Sequence, residues 1–246
     1  MVHTMELKDE TVAGLQALEA EVTACRRCPR LVEWREAVAL RRRRAYRDWD
    51  YWGKPVPGFG DPHARLLVVG LAPGAHGSNR TGRMFTGDAS GDFLYRALHR
   101  AGFASQSQAC SRDDGLGLLD MFISAVCRCV PPGNKPTRQE VVNCLPFLRR
   151  EIDLLPNLQG VIALGRIAFD NLIMLHPPLE DAHQTANFFH LAQYPLGDGR
   201  LWLLASYHPS RQNTQTGRLT TAMFDAVWAQ ARSLLDDQHI PRSITK

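Results

Sequence analysis

The chain has 246 residues, 44% of them hydrophobic and 22% charged, with a net charge of +4. That suffices for one large α/β domain or two small ones of ordinary globular composition. No apolar run approaches the roughly 18 residues that span a bilayer, and the polar opening MVHTMELKDE does not read as a secretory signal, so a cytoplasmic location, no membrane partner and reduced cysteines are expected.

Residues 11–24 (TVAGLQALEAEVTA) carry apolar side chains at helical spacing and predict a first helix. Cys25 and Cys28 follow as a C-x-x-C. Residues 26–54 then hold ten Lys/Arg against four acids, including the run Arg41 to Arg44. Such a stretch is either a phosphate-contacting surface or a solvated helix face. The Gly- and Pro-rich WGKPVPGFGDP (52–62) predicts a loop. A strand is expected at Leu66 to Val69, a helix at Asp92 to Ala101 and a second strand at Asp120 to Val126. Cys129 and Cys144 come next, bracketing Pro131-Pro132-Gly133-Asn134. Together with the first pair they suggest one metal centre that ties the front of the chain to its middle. Thr137 to Glu140 reads as a capping box opening a helix to Leu155. Gly160 to Gly165 predicts a strand, Arg166 to about His176 a helix, Leu201 to Ser206 a fourth strand, and Thr220 to Leu235 the last helix.

This alternation predicts a parallel sheet covered on both faces, with ligands bound beyond the carboxyl ends of its strands. Chemistry is therefore expected just after Val69, Val126, Leu164 and Ser206. The segment after the first strand, GLAPGAHGSNRTGRMFTGD (70–88), is poor in side chains, so its backbone can approach a flat ligand while Phe85 stacks on it. It lacks both the Lys-Ser/Thr ending of a P-loop and the spacing of a dinucleotide fingerprint. The segment after the fourth strand, HPSRQNTQTGRLT (208–220), places His208 at the strand end. A polar, flexible stretch from Arg211 to Arg218 follows, in which Asn213, Gln215 and Arg218 can reach a nucleic-acid groove.

These two segments resemble the signature motifs of the uracil-DNA glycosylase superfamily, most closely the family 5, or B-type, iron–sulfur branch. The likeness extends to WGKPVPGFGDP, to CVPPGNKPT (129–137) and to four cysteines, covering most of residues 25–225. It implies a three-layer αβα sandwich with a central four-stranded parallel sheet, and one domain over 1–246 whose segment 1–60 is tied down by a structural [4Fe–4S] cluster. The matching ligands are Cys25, Cys28, Cys129 and Cys144; Cys110 and Cys127 are left as spare thiols. A zinc site is the alternative, although structural zinc sites usually present their pairs as close knuckles.

The resemblance also implies roles. Asp88, His208 and Asn134 become catalytic candidates. Gly70, Leu71, Ala72, Gly74, Ala75 and Phe85, with Asn134 and His208, become the base pocket. Arg83, Ser210, Arg211, Asn213, Gln215 and Arg218 become DNA contacts. Asp88 can equally be a helix N-cap, and Asn134 a plain turn residue. The sequence departs from other branches at three points. Ala72 stands where classical enzymes carry a water-activating aspartate. Leu71 stands where A-type enzymes carry a glutamate, and Ala125 where they carry a uracil-reading asparagine. The expected function is a monomeric, monofunctional DNA glycosylase acting on uracil and on other deaminated bases such as hypoxanthine and xanthine, its partner being damaged DNA. The rival is a non-catalytic nucleic-acid-binding protein on the same fold.

Overall fold

The computed structural model describes residues 2–177 and 186–237. The chain opens with helix α1 (Val2–Ala24) and α2 (Pro29–Arg41), followed by a single 3-10 turn at Arg44–Tyr46. Strands β1 (Phe59–Gly60) and β2 (Leu66–Gly70) lead into the short helix α3 (Ser78–Thr81) and then α4 (Ala89–Arg100). Next come β3 (Met121–Ala125), α5 (Arg138–Leu154), β4 (Gly160–Leu164) and α6 (Arg166–Leu175). The chain continues through β5 (Gln193–Leu196) and β6 (Leu201–Ser206) to α7 (Arg211–Gln215) and α8 (Thr221–Asp237). None of these helices is long and apolar enough to cross a membrane.

The sheet runs β1-β3-β2-β4-β6-β5. Its four central strands are parallel, as the sequence predicts. It is nonetheless six-stranded and mixed rather than four-stranded, because β1 and β5 add antiparallel edges. Both additions escape sequence patterning. β1 is two residues inside the Gly/Pro-rich loop, and β5 contains Pro195, which cannot donate to a ladder and therefore suits an edge.

The pleat sorts side chains onto two cores. Leu66, Val68, Met121, Ile123, Ile162 and Leu204 face α4 and α8, where Leu94, Tyr95, Phe224 and Trp228 cover them. Leu67, Val69, Phe122, Val161, Ala163 and Leu203 face the other way, against Leu18 of α1, Phe147 and Leu148 of α5, and Phe169 of α6. Apolar runs that are buried on both faces belong to central parallel strands.

One ion pair lies deep in the second layer. Arg128 and Glu151 of α5 are joined by a very short bond, and both are nearly inaccessible to solvent. Ser124 of β3 donates to the same Glu151 oxygen at 2.5 Å. A buried charge without its partner is costly. Glu151→Leu is therefore expected to lose about 3–5 kcal/mol of stability in urea unfolding. The double variant Arg128→Met/Glu151→Leu should regain most of that loss; an equally unstable double variant would show that the pair acts by shape rather than charge.

Candidate active site

The ends of β2 and β6 converge on one edge of the sheet. Gly70 ends β2, and a side chain there would collide with Phe85, since a Cβ would stand 2.7 Å from the ring. Phe85 itself is held at φ 53°, an uncommon conformation for a bulky residue. Its ring lies 5.9 Å from that of His208, two residues beyond β6, with the planes tilted by 32°. The N–H of Gly165, at the end of β4, donates to Ser206, which binds the two strand ends together. Predicted residues from the two motif segments thus meet where the topology requires.

Asp88 caps α4. Its Oδ1 accepts from the backbone N–H groups of Ser90 at 3.0 Å and Gly91 at 3.1 Å. Its Oδ2 lies over the glycine loop; a Cβ on Gly77 would come within 2.0 Å of it. One oxygen is therefore committed to the helix, while the other has no hydrogen-bond partner among the described residues. Burial pushes this carboxyl above its ordinary range, against the lowering effect of the two N–H bonds. His208 is shifted the opposite way: burial holds it at about 4, so the imidazole is neutral at physiological pH. Its ring nitrogens have no hydrogen-bond partner among the described residues, whereas its carbonyl oxygen accepts from Asn213 Nδ2 at 2.8 Å.

The remaining predicted residues divide. Leu71 is fixed by Cys127, whose N–H donates to the Leu71 carbonyl at 2.9 Å. Ala72 packs on the second core, and Gly74 accepts from the N–H of Asn79. Ala75 lies half-buried in the same loop. Asn134 stands exposed on a 3-10 turn at φ 58° and makes no side-chain hydrogen bond to Phe85, Asp88 or His208.

Arg83 departs from its predicted place on the DNA face. It is buried, with both terminal nitrogens on Asp114 at 2.8 Å and Nε on Thr86, so its charge is matched inside the protein. The segment 211–218, expected to be flexible, instead begins with α7, N-capped by Ser210, and Asn213 turns inward to His208. Arg211, Gln215 and Arg218 are exposed.

Arg80 was missed by sequence reasoning. It is buried, yet its side chain pairs with no acid among the described residues. It donates to the carbonyls of His76 at 2.8 Å and Gly87 at 2.9 Å. Its guanidinium packs over Tyr46 and Trp49, at 4.0 and 4.1 Å from the ring centres. Each such stack is worth about 0.5–2 kcal/mol. Nothing in the motif foretells that this arginine, like Arg83, is buried.

Cys25, Cys28, Cys129 and Cys144 line a single cavity with Arg35, Arg128, Asn143 and Phe147. Donors point at the sulfurs: Arg35 Nη1 lies 3.0 Å from Cys129 Sγ, the Arg128 N–H 3.2 Å from Cys144, and Asn143 Nδ2 3.4 Å from Cys28. Burial pushes the Cys129 thiol up to about 12 despite Arg35. A hydrogen bond from the Cys127 thiol, more than any other cause, shifts Cys144 below the ordinary thiol range. Cys127 is buried and does not line the cavity; Cys110 is exposed. No three His, Cys, Asp or Glu side chains among the described residues converge on a single-ion geometry. Four thiols around a common cavity with N–H donors behind them are a donor set that could hold a metal group.

Residues 57–232 match the family model described as the uracil DNA glycosylase superfamily. A type-5 uracil-DNA glycosylase of Thermus thermophilus is 54% identical over 219 residues, covering 89% of this chain and 97% of that protein. One from Mycobacterium leprae is 50% identical over 90% of this chain and 96% of its own. One from Pyrobaculum aerophilum is 44% identical over 84% and 87%. Identity at this level, over most of both chains in each case, establishes that the protein belongs to the uracil-DNA glycosylase superfamily, in its type-5 branch.

Proposed function

We propose that this protein is a monofunctional DNA glycosylase that hydrolyses the bond between deoxyribose C1′ and the base nitrogen of uracil, and of other deaminated bases such as hypoxanthine and xanthine, so starting base-excision repair. The observation that carries the reading is the meeting of Phe85 and a neutral His208 at the carboxyl edge of the sheet, where the glycine loop holds Asp88. The names of its relatives support uracil as the first substrate.

The scissile bond is inaccessible inside a duplex, so the nucleotide must be extruded, and a mispaired deaminated base is extruded at lower cost. The freed base stacks on Phe85, and backbone amides of Gly70 to Ala75, with Asn134, bind its edge. As the bond breaks, negative charge builds on the base and positive charge on the sugar. A neutral imidazole can donate an N–H to the departing base carbonyl oxygen, a bond that strengthens with the charge. The free Oδ2 of Asp88 faces the sugar side, where it orients the attacking water or stabilises the cation.

Breadth of substrate follows from absent amides. Ala125 pairs with Gly70 across β3 and β2 and offers only a methyl group beside the motif. Leu71 and Ala72 bring no acid or amide either.

In the same reading Cys25, Cys28, Cys129 and Cys144 hold a [4Fe–4S] cluster. When bound, it cross-links the N-terminal segment to the loop bearing Asn134; hydrolysis requires no electrons from it. The buried thiols and the donors aimed at their sulfurs support this assignment.

Incubation with a labelled uracil duplex should release free uracil and leave strands that break only after alkali. Strands intact after alkali, from protein of proven metal content, would sink the proposal, and release of uracil alone would remove hypoxanthine and xanthine. His208→Ala should slow base release by about 10² or more with little change in DNA binding. Because His208 sits at about 4, the rate profile of the parent should show no break near the ordinary histidine value of about 6.5. It should fall toward acid as Asp88, whose carboxyl burial raises above its ordinary range, takes up a proton; a break near 6.5 that vanishes in His208→Ala would contradict the neutral-imidazole role. Protein isolated without air should be brown, with about four irons per chain. Cys144→Ser should lose that iron and Cys127→Ser should keep it; a colourless, zinc-bearing parent would reassign the centre.

A further inference from the structure

We propose that the segment from Arg41 to Trp49 is a second DNA-contact surface, a basic arm fastened beside the catalytic loop that takes the phosphodiester backbone of the duplex. The identity of the polyanion rests on the glycosylase reading; the arm itself is argued from its own geometry.

Arg41, Arg42, Arg43, Arg44 and Arg47 are all exposed, against Asp48 in the same stretch and Asp50 just beyond it. Arg41, Arg43 and Arg44 enter no ion pair among the described residues. Arg42 meets Asp50 at 3.3 Å and Arg47 meets Asp48 at 3.7 Å, but both acids stand fully in solvent. Such exposed pairs are weak, and phosphate oxygens can replace them.

A solvated basic face needs no anchor. This one has a specific one. Arg80 comes from the glycine loop, reaches into the arm and is clasped between Tyr46 and Trp49. The same guanidinium donates to Gly87, the residue before Asp88. Tyr51 and His76 add a second tie at 3.1 Å, and the N–H groups of Trp52 and Gly53 donate to the carbonyls of Arg80 and Asn79. The five arginines are thus held at a fixed position against the loop that ends in Asp88, and the charged ends of Arg41, Arg43 and Arg44 pair with no acid among the described residues. On this proposal the backbone of a duplex seated with a flipped nucleotide at Phe85 passes this side of the loop.

The test is the salt dependence of binding to an undamaged labelled duplex, followed by fluorescence anisotropy. Each phosphate contact contributes close to one unit to the slope of log K against log salt. The triple variant Arg41→Gln/Arg43→Gln/Arg44→Gln should flatten that slope by about 2 to 3 units relative to the parent. The corresponding triple Lys variant should keep it. Matching circular dichroism and thermal midpoints certify that the variants are folded. A Gln variant with the slope of the parent would overturn the arm. If that same parent releases uracil, the glycosylase reading survives and the arm alone falls. A parent that neither binds the duplex nor releases uracil overturns both.

Discussion

The buried bond between Arg128 and Glu151 is the constraint on which the rest of the molecule depends. Arg128 sits between two cysteines, Cys127 and Cys129, so its side chain and backbone act in different places. The guanidinium is neutralised by Glu151 of α5, which Ser124 of β3 also bonds. Its N–H points at Cys144 and its carbonyl accepts from Val56 at 2.7 Å. One residue thereby fixes the sheet, the cysteine loop, α5 and the 55–60 loop relative to one another. Two charges so deep in the protein tolerate little relative movement, because separation would leave each unsolvated. The spacing of the thiols is inherited from that rigidity.

From this frame hangs the N-terminal segment. Arg30 makes a bidentate pair with Glu140 at 2.8 and 2.6 Å, fastening α2 to the start of α5. Arg35 reaches Cys129, and its own carbonyl accepts from Asn79 of α3 at 3.3 Å. Helix α3 belongs to the loop that cradles Asp88. The cysteine centre and the reactive edge of the sheet are therefore linked through a few buried side chains, although they are far apart in sequence. A group held by these cysteines, as proposed, would order the site through those contacts without taking part in hydrolysis.

Much of this was legible from residues alone, for identifiable reasons. The central strands are short, wholly apolar runs set among turn residues, and α5 announces itself through Thr137 and Glu140, whose reciprocal bonds the structure contains. The meeting of Phe85 and His208 could be anticipated because parallel sheets place ligand sites at strand ends, whereas the role proposed for Asp88 rests on the family resemblance. What stayed hidden depends on long-range partners. The basic character of residues 29–41 masks a helix that buries Leu31, Val32 and Arg35. Arg80 and Arg83 look alike in sequence, and arginine defaults to the surface. One is drawn inside by Asp114 and the other by two aromatic rings, none adjacent to it in the chain. Asn213 differs: it turns inward to the His208 carbonyl only five residues back, once Ser210 caps α7.

The divided use of Asp88 has an evolutionary side. Its helix asks for a short side-chain oxygen, which asparagine supplies as well as aspartate does. The proposed chemistry asks for charge. An Asp88→Asn change would therefore leave a well-folded, inert protein that no quality-control protease would recognise as damaged. The codons for these two amino acids differ by one G-to-A transition, the outcome of an unrepaired cytosine deamination on the opposite strand. The gene for such an enzyme is exposed, at this one base pair, to silencing by the lesion that the enzyme is proposed to remove.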